Sequence, residues 1–181
     1  MLSPEMINDF RCYGGDAQVF IGVVSAELPT IEAMTQEVSG AGIGGAYEQP
    51  ITGHTTSMTA TITFRAVTPQ VLSVLRPVDQ TITLMAAIQH ATPALPAVAP
   101  SPIAGASTTR QLKVIMRCKP KSVPLGSLTA GEMMDTSVEL EVTAITISID
   151  GVPQVMIDKI NSVYMIDGVD YMTKIRVDVG L

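Results

Sequence analysis

The residues best suited to chemistry in this chain are few and scattered. Gly40-Ala41-Gly42-Ile43-Gly44-Gly45 spells the GxGxxG pattern of dinucleotide-binding loops. That chemistry needs a strand directly before the glycines and a helix directly after, so that backbone N–H groups meet the pyrophosphate. Here IEAMTQEVS precedes and AYEQPITG follows, and Pro50 and Gly53 forbid a long helix. The glycines are therefore expected to supply backbone freedom or close approach to another chain. The two histidines, His54 and His90, have no second His or Cys at ligand spacing, so zinc is not expected. Cys12 and Cys118 lie 106 positions apart. GxSxG, CxxC and HExxH are all absent. Glu139 and Glu141 fall on one strand face, the spacing of a solvated or salt-bridged stripe rather than of a glycosidase pair. Neither a catalytic residue nor a cofactor nor a metal is expected.

A basic stripe is the strongest charge feature. Arg110, Lys113, Arg117, Lys119 and Lys121 place five of the 11 basic residues within 12 positions, with no acid among them. A phosphate-binding stripe is one reading. The other is neutralisation, because the next segment carries Glu132, Asp135, Glu139 and Glu141. If the two segments pair antiparallel, Lys113, Arg117 and Lys119 share a face with those glutamates and the charges cancel across the strands.

The elements that must position these residues are mostly strands. Met58, Ala60, Ile62 and Phe64 alternate with threonines, and Ile82, Leu84, Ala86 and Ile88 repeat the pattern. So do Leu112, Val114, Met116 and Cys118, and then Val138, Leu140, Val142 and Ala144. Each reads as a strand with one dry face. After Ala144 the apolar positions move to Ile145, Ile147 and Ile149. That change of phase predicts a bulge near Thr143–Ile145, or a strand passing from one buried environment to another. Asp150-Gly151 then predicts a hairpin into a strand around Gln154–Ile160. Asp167-Gly168 separates Val163–Ile166 from a last expected strand, with Tyr171, Thr173, Ile175, Val177 and Val179 on one face. One helix is expected, starting at Thr68-Pro69 and stopped by Pro77, with Val71, Leu72 and Leu75 as its apolar face. Long loops are expected at 30–54 (Gly-rich), at 91–107, which holds four of the 12 prolines, and at 120–135. The chain reads as a single mainly β domain.

Composition limits what such a domain does. The 181 residues carry 28 charged side chains, 15% of the chain, with a net charge of −6, a pI near 4.8 and a mean hydropathy of +0.35. A typical soluble domain carries roughly 25% charged residues. A monomer of this mass exposes on the order of 8,400 Å², so these charges cover its surface thinly. Disorder is excluded, and the acidic balance disfavours nonspecific nucleic-acid binding. No run long enough to span a membrane is present, and MLSPEMINDFRC lacks the apolar core of a secretory signal. A cytoplasmic site of synthesis and reduced thiols are therefore expected. Something other than lipid is expected to cover part of the surface.

Several stretches taken together point to that cover. AELPTIEAMTQEVSGAGIGGAYEQPITGHTTSMTATITFR, Ala86–Gln89, Val114–Lys121 and ISIDGVPQVMIDKINSVYMIDGVDYMTKIRVDVGL occur in order along nearly the whole chain. The set resembles the major tail tube proteins of contractile-tailed phages. Residues 91–107 do not match the family pattern. The resemblance implies a mainly β subunit, an antiparallel β-sandwich or barrel, that contributes strands to a hexameric, tube-lining β-barrel. It implies a homo-hexamer stacked into a helical tube inside a contractile sheath, with a tape-measure protein in the lumen before DNA passes. Baseplate and tail terminator proteins at the tube ends, and a place in the virion tail, follow from it. The 30–54 segment is then an inter-subunit or inter-ring loop, with Gly40, Gly42, Ile43, Gly44, Gly45, Tyr47 and His54 as contact residues. Thr59, Thr61, Thr63, Glu139 and Glu141 are candidate lumen-facing residues. The inner tube of a phage-derived bacteriocin or contractile injection system shares this architecture. A monomeric ligand-binding β-barrel is a third reading, and an enzyme has no support from any residue set.

Overall fold

The alternating segments form the strands they predict, and the chain folds around one of them. The computed structural model describes residues 3–15, 20, 22–91 and 109–180. Strands run over Ser3–Tyr13 (β1), Val23–Glu27 (β2), Ala33–Val38 (β3), Tyr47–Thr55 (β4), Thr59–Phe64 (β5) and Gln80–Ala91 (β6). They continue over Thr109–Ser122 (β7), Thr136–Ile149 (β8), Val152–Asp158 (β9), Val163–Ile166 (β10) and Val169–Asp170 (β11). Short helices cover Pro69–Ser73 (α1) and Thr173–Asp178 (α2). All described pairings are antiparallel.

β8 is the pivot. One edge of it follows β7 along its length. The other edge is shared: Thr136–Glu141 pair with β5, and Ala144–Ile149 pair with β9. The change of partner falls at the predicted bulge. Arg117 faces Ala144 and Cys118 faces Val142, which leaves Thr143 as the extra residue. Its hydroxyl donates to the Arg117 carbonyl at 3.1 Å. Val138, Leu140 and Val142 are buried before the bulge and Ile145 after it, so the extra residue keeps the dry face on one side while the phase shifts. The sheet thus forks, and one branch carries β5 and β2 while the other carries β9, β10 and β11. The strands do not close into a barrel within one subunit. The core lies on the inner face, where Ala60, Ile62, Phe64, Ile82, Met116, Cys118 and Ile157 are buried.

The turns follow the expected chemistry. Asp150 and Gly151 have φ of 51° and 83°, and Asp167 and Gly168 have 50° and 80°. Asp-Gly suits such a turn because Gly takes positive φ freely and Asp tolerates it. Thr68 caps α1 by accepting from the Val71 N–H at 3.3 Å, with Pro69 in the first turn. The apolar face of α1 differs from expectation: Val71 and Val74 are buried, whereas Leu72 and Leu75 are exposed.

Four strands escape sequence reading. β1 hides its alternation behind two register shifts, between Pro4 and Met6 and between Ile7 and Asp9. β2 is a short edge strand, and β3 and β4 occupy most of the segment expected as a loop over 30–54. The last expected strand is also corrected. After Asp167-Gly168 the chain pairs for two residues only and then turns into α2. The alternation of Tyr171, Thr173, Ile175, Val177 and Val179 finds the adjacent edge, the outer edge of β10, already taken by β11. A short helix satisfies its own backbone groups instead. Residues 92–107 of the Pro/Ala-rich segment lie outside the described residues; residue 91 ends β6.

The two thiols give a direct check on this core. Burial pushes Cys12 and Cys118 from an ordinary value of 9.0 up to about 12. Both are expected to resist iodoacetamide in the folded protein at about pH 8 and to react fully in denaturant. Rapid labelling of either in the native state would contradict their placement. An unfolded thiol ionises before a folded one, so stability is full below about pH 9 and falls as the pH rises toward 12.

Candidate assembly interface

The Gly-rich segment is a projecting hairpin. β3 and β4 form a two-stranded sheet of their own, apart from the main sheet. Val38 faces Tyr47, Gln36 faces Gln49 and Glu37 faces Glu48. Gly40, Gly42, Ile43, Gly44 and Gly45 form the tip, where Ile43 N–H donates to the Gly40 carbonyl at 3.1 Å. A side chain at Gly40, Gly42, Gly44 or Gly45 would meet no atom of the chain within 4 Å. Gly42, at φ +91°, is the one tip glycine that the backbone itself requires. Met34, Ile43, Tyr47 and Ile51 are exposed. The GxGxxG match is therefore a hairpin tip with no helix after it.

The base of the hairpin is anchored. Thr56 N–H donates to the Glu32 carbonyl at 2.9 Å. Gly53, at φ +74°, lies against Met172, whose sulfur would be 2.1 Å from a Cβ there. Met172 is 4% exposed and precedes α2. His54 is exposed beside this contact, lining a small hollow with Asp158 and Lys159. α2 is fixed by Arg176, which pairs with Asp170 and donates to the Ser162 carbonyl at 2.8 Å. The Arg176 hydrogen bond, then the Met172 N–H, hold the Asp170 carboxyl down to about 2. Sequence reading missed the Gly53–Met172 contact because nothing local marks a pairing 119 positions apart.

The other candidate residues gather on the outer, polar face of the sheet. Thr59 lies opposite Glu141, Thr61 opposite Glu139 and Thr63 opposite Ser137. All five candidates therefore share one face. Both Glu141 oxygens accept from the Ser57 hydroxyl, at 2.9 and 2.7 Å. β7 and β8 are adjacent and antiparallel as expected, and Lys119 faces Glu141 in register. The ion pairs are different ones. Lys119 reaches Asp79 at 3.5 Å, Arg117 reaches Asp158 at 3.0 Å and Arg110 reaches Asp150 at 2.8 Å. Three of the five basic residues of the stripe thus pair with aspartates at strand ends rather than with the glutamates of β8. Desolvation works to raise the Asp158 carboxyl, but donors from Asn161 and Ile160, with Arg117, hold it below its usual value. Among the described residues, no group of three or more His, Cys, Asp or Glu side chains is placed to hold a metal ion.

An open, forked sheet with a polar face and a projecting, unburied hairpin defines a class of protein built to be completed by other chains. The family model for phage tail tube protein FII matches residues 4–180, and the chain belongs to that family. It is a structural subunit of a tail tube. No curated protein matches the sequence. Solved structures that share the fold include the following two. One is a sheath/tube terminator of an extracellular contractile injection system, PVC, in the extended state. It is 16% identical, with a TM-score of 0.53, over 81% of this chain and 97% of that one. The other belongs to the sheath-tube complex of a PVC system, at 15% identity and a TM-score of 0.54, over 80% of this chain and 91% of that one.

The anchor at the hairpin base is testable. Gly53→Ala is expected to destabilise the subunit by about 1–3 kcal/mol, through positive φ and displacement of Met172. Hydrogen exchange in β4 and α2 should rise together. Protection lost in β4 alone would break the proposed link between them.

Proposed function

We propose that this subunit forms hexameric rings that stack into a hollow tube inside a contractile sheath, and that phage DNA passes through the lumen. The observation that carries the proposal is the open architecture of a tail-tube-family chain. Among the described residues, β1 leaves one long edge unpaired, and β3 and β4 expose nearly every side chain. Unpaired edges and exposed apolar strands are liabilities in a monomer and assets in a closed assembly. In this reading the chain is one domain, with the 30–54 hairpin reaching a neighbouring subunit or ring. Gly40, Gly42, Ile43, Gly44, Gly45, Tyr47 and His54 make that contact. The chain has no catalytic role.

The outer face fits a channel wall. Thr59, Thr61 and Thr63 offer hydroxyls, and Glu139 and Glu141 offer negative charge beside them. On the same face Arg117 pairs with Asp158 and Lys119 with Asp79. A wall of free cations would bind phosphates and release counterions at each contact, stalling the polymer. A ring of such subunits would carry on the order of −36, which favours sliding. The tape-measure protein, sheath, terminator and baseplate are the partners of such a tube. A second reading keeps the tube but not the DNA: the fold likeness to an injection system supports a bacteriocin-type or injection-type particle.

Negative-stain microscopy of the purified protein should show hollow rings or tubes; a monomer stable across salt conditions would overturn the proposal. Gly44→Arg should leave the subunit folded, since a side chain there meets nothing in its own chain. It should also abolish tube growth, and tubes of ordinary length would remove the hairpin tip from the interface.

A further inference from the structure

The β3–β4 hairpin is jointed. Ala33 faces Thr55 at its base, and the next facing pair is Thr35 with Pro50. Met34 therefore stands opposite four residues, Ile51 to His54, and none of the five has a partner across the ribbon. A break of that size interrupts the ladder and separates the outer ribbon from its base. Gly53, at φ +74°, lies inside the break. The base itself is fixed. Lys159 Nζ donates to the Thr56 carbonyl at 2.6 Å. Met172, packed on Gly53, is held in turn by its N–H, which donates to the Asp170 carboxylate at 2.9 Å. The joint thus has a firm bearing on one side and no ladder on the other.

An open cleft lies beside the joint. It has a volume of about 240 Å³, with Ala33, Pro50 and Ile51 on the hairpin side and Tyr164, Ile166 and Tyr171 on the side of β10 and β11. The two tyrosine rings meet edge to face at 6.5 Å. Ile51 is 40% exposed and Tyr171 52%. Among the described residues, no backbone hydrogen bond and no ion pair joins the two walls. A space of this size holds roughly eight waters of about 30 Å³ each. Apolar walls that face each other across water are driven together. Shutting the cleft costs no ladder bond, because the residues of the joint have no partner on β3.

We infer that the hairpin is a strap with two positions. In one it stands away from the body, as in the structure. In the other it turns at Ile51–His54 on the Met172 bearing and lays Pro50 and Ile51 on Tyr164 and Tyr171. The folded position is that of the free subunit, where only water competes for the cleft. The standing position is that of the assembled subunit, where a neighbour binds the arm and shifts the balance. A folded strap withholds the hairpin tip from other copies, so growth starts only where a formed end draws it out. This consequence for growth rests on the tube reading above; the folding of the strap does not.

Ile51→Cys and Tyr171→Cys are combined in the full-length chain, whose own Cys12 and Cys118 are buried. A folded strap brings the two new thiols within bonding reach, a Cα separation under about 7 Å. Oxidation of the free chain is expected to give an intramolecular disulfide, seen as a faster band on a non-reducing gel, and oxidation after assembly to give none. The locked chain should form no tubes by negative-stain microscopy, and reductant should restore them. No disulfide in the free chain overturns the proposal, and so do equal yields before and after assembly, or tubes from the locked chain. If the double variant does not fold, Tyr171→Ala decides, since it removes the wall on which the strap lies. The concentration needed for tube growth should then fall by about threefold or more, because apparent affinity scales with the fraction of chains whose strap stands. An unchanged or higher concentration overturns the proposal. Wild-type protein that forms neither rings nor tubes refutes the tube reading instead, and the disulfide in the free chain still reports the strap alone.

Discussion

Hydrogen bonding along β8 is the constraint on which the rest of this fold depends. A strand has two edges, and each must find partners or face water. β8 serves three strands by giving β7 one whole edge and dividing the other between β5 and β9. The division requires a break in the ladder, and the single extra residue Thr143 supplies it. Without that residue Ile145, Ile147 and Ile149 would emerge on the polar face. With it they continue the core begun by Val138, Leu140 and Val142. The fork also sends β5 and β9 in different directions, so a flat sheet becomes an inner surface that can be packed.

The same fork decides where charge is tolerated. The outer face carries Arg117, Lys119, Glu139 and Glu141 among threonines, and nothing in the chain covers it completely. Neutralisation comes from turn and strand-end aspartates, because Asp79, Asp150 and Asp158 lie where the chain leaves the sheet and a short side chain can reach back. Exposed pairs of this kind add little stability. Their effect is on the field the face presents, which is less basic along β7 than its five cations alone would make it.

Much of the main sheet was legible in sequence because it is buried on one face only. Alternation then appears directly, as in β5, β6, β7 and the first half of β8, and the bulge shows as its interruption. Asp150-Gly151 and Asp167-Gly168 were legible for a local reason, since positive φ selects those residues. What failed were elements whose stability is not local. β1 is defined by its pairing to β6 through two register shifts. β3 and β4 have no buried face, so no apolar period marks them, and their glycines dominate the reading. Residues 173–178 carry the alternation of a strand and form a helix, because Met172 against Gly53 and Arg176 against Asp170 fix that segment from outside it. The five candidate wall residues share a face as their strand phase implied, whereas the candidate contact residues of the hairpin stand on a sheet of their own.

The hairpin explains why such a subunit must not be stable alone in its final form. A two-stranded ribbon in water is marginal, because it fixes backbone torsions and buries little in return. Here the marginality is increased. Glu37 faces Glu48 across the strands, and like charges directly opposite are unfavourable. Met34, Tyr47 and Ile51 remain exposed, so beyond the Gly53–Met172 contact at its base the ribbon gains further apolar burial from a surface outside the described residues. In the proposed tube that surface is another copy, and ordering of the hairpin is coupled to docking. Coupled ordering subtracts from affinity, so isolated pairs form poorly and growth needs a template that offers several contacts at once.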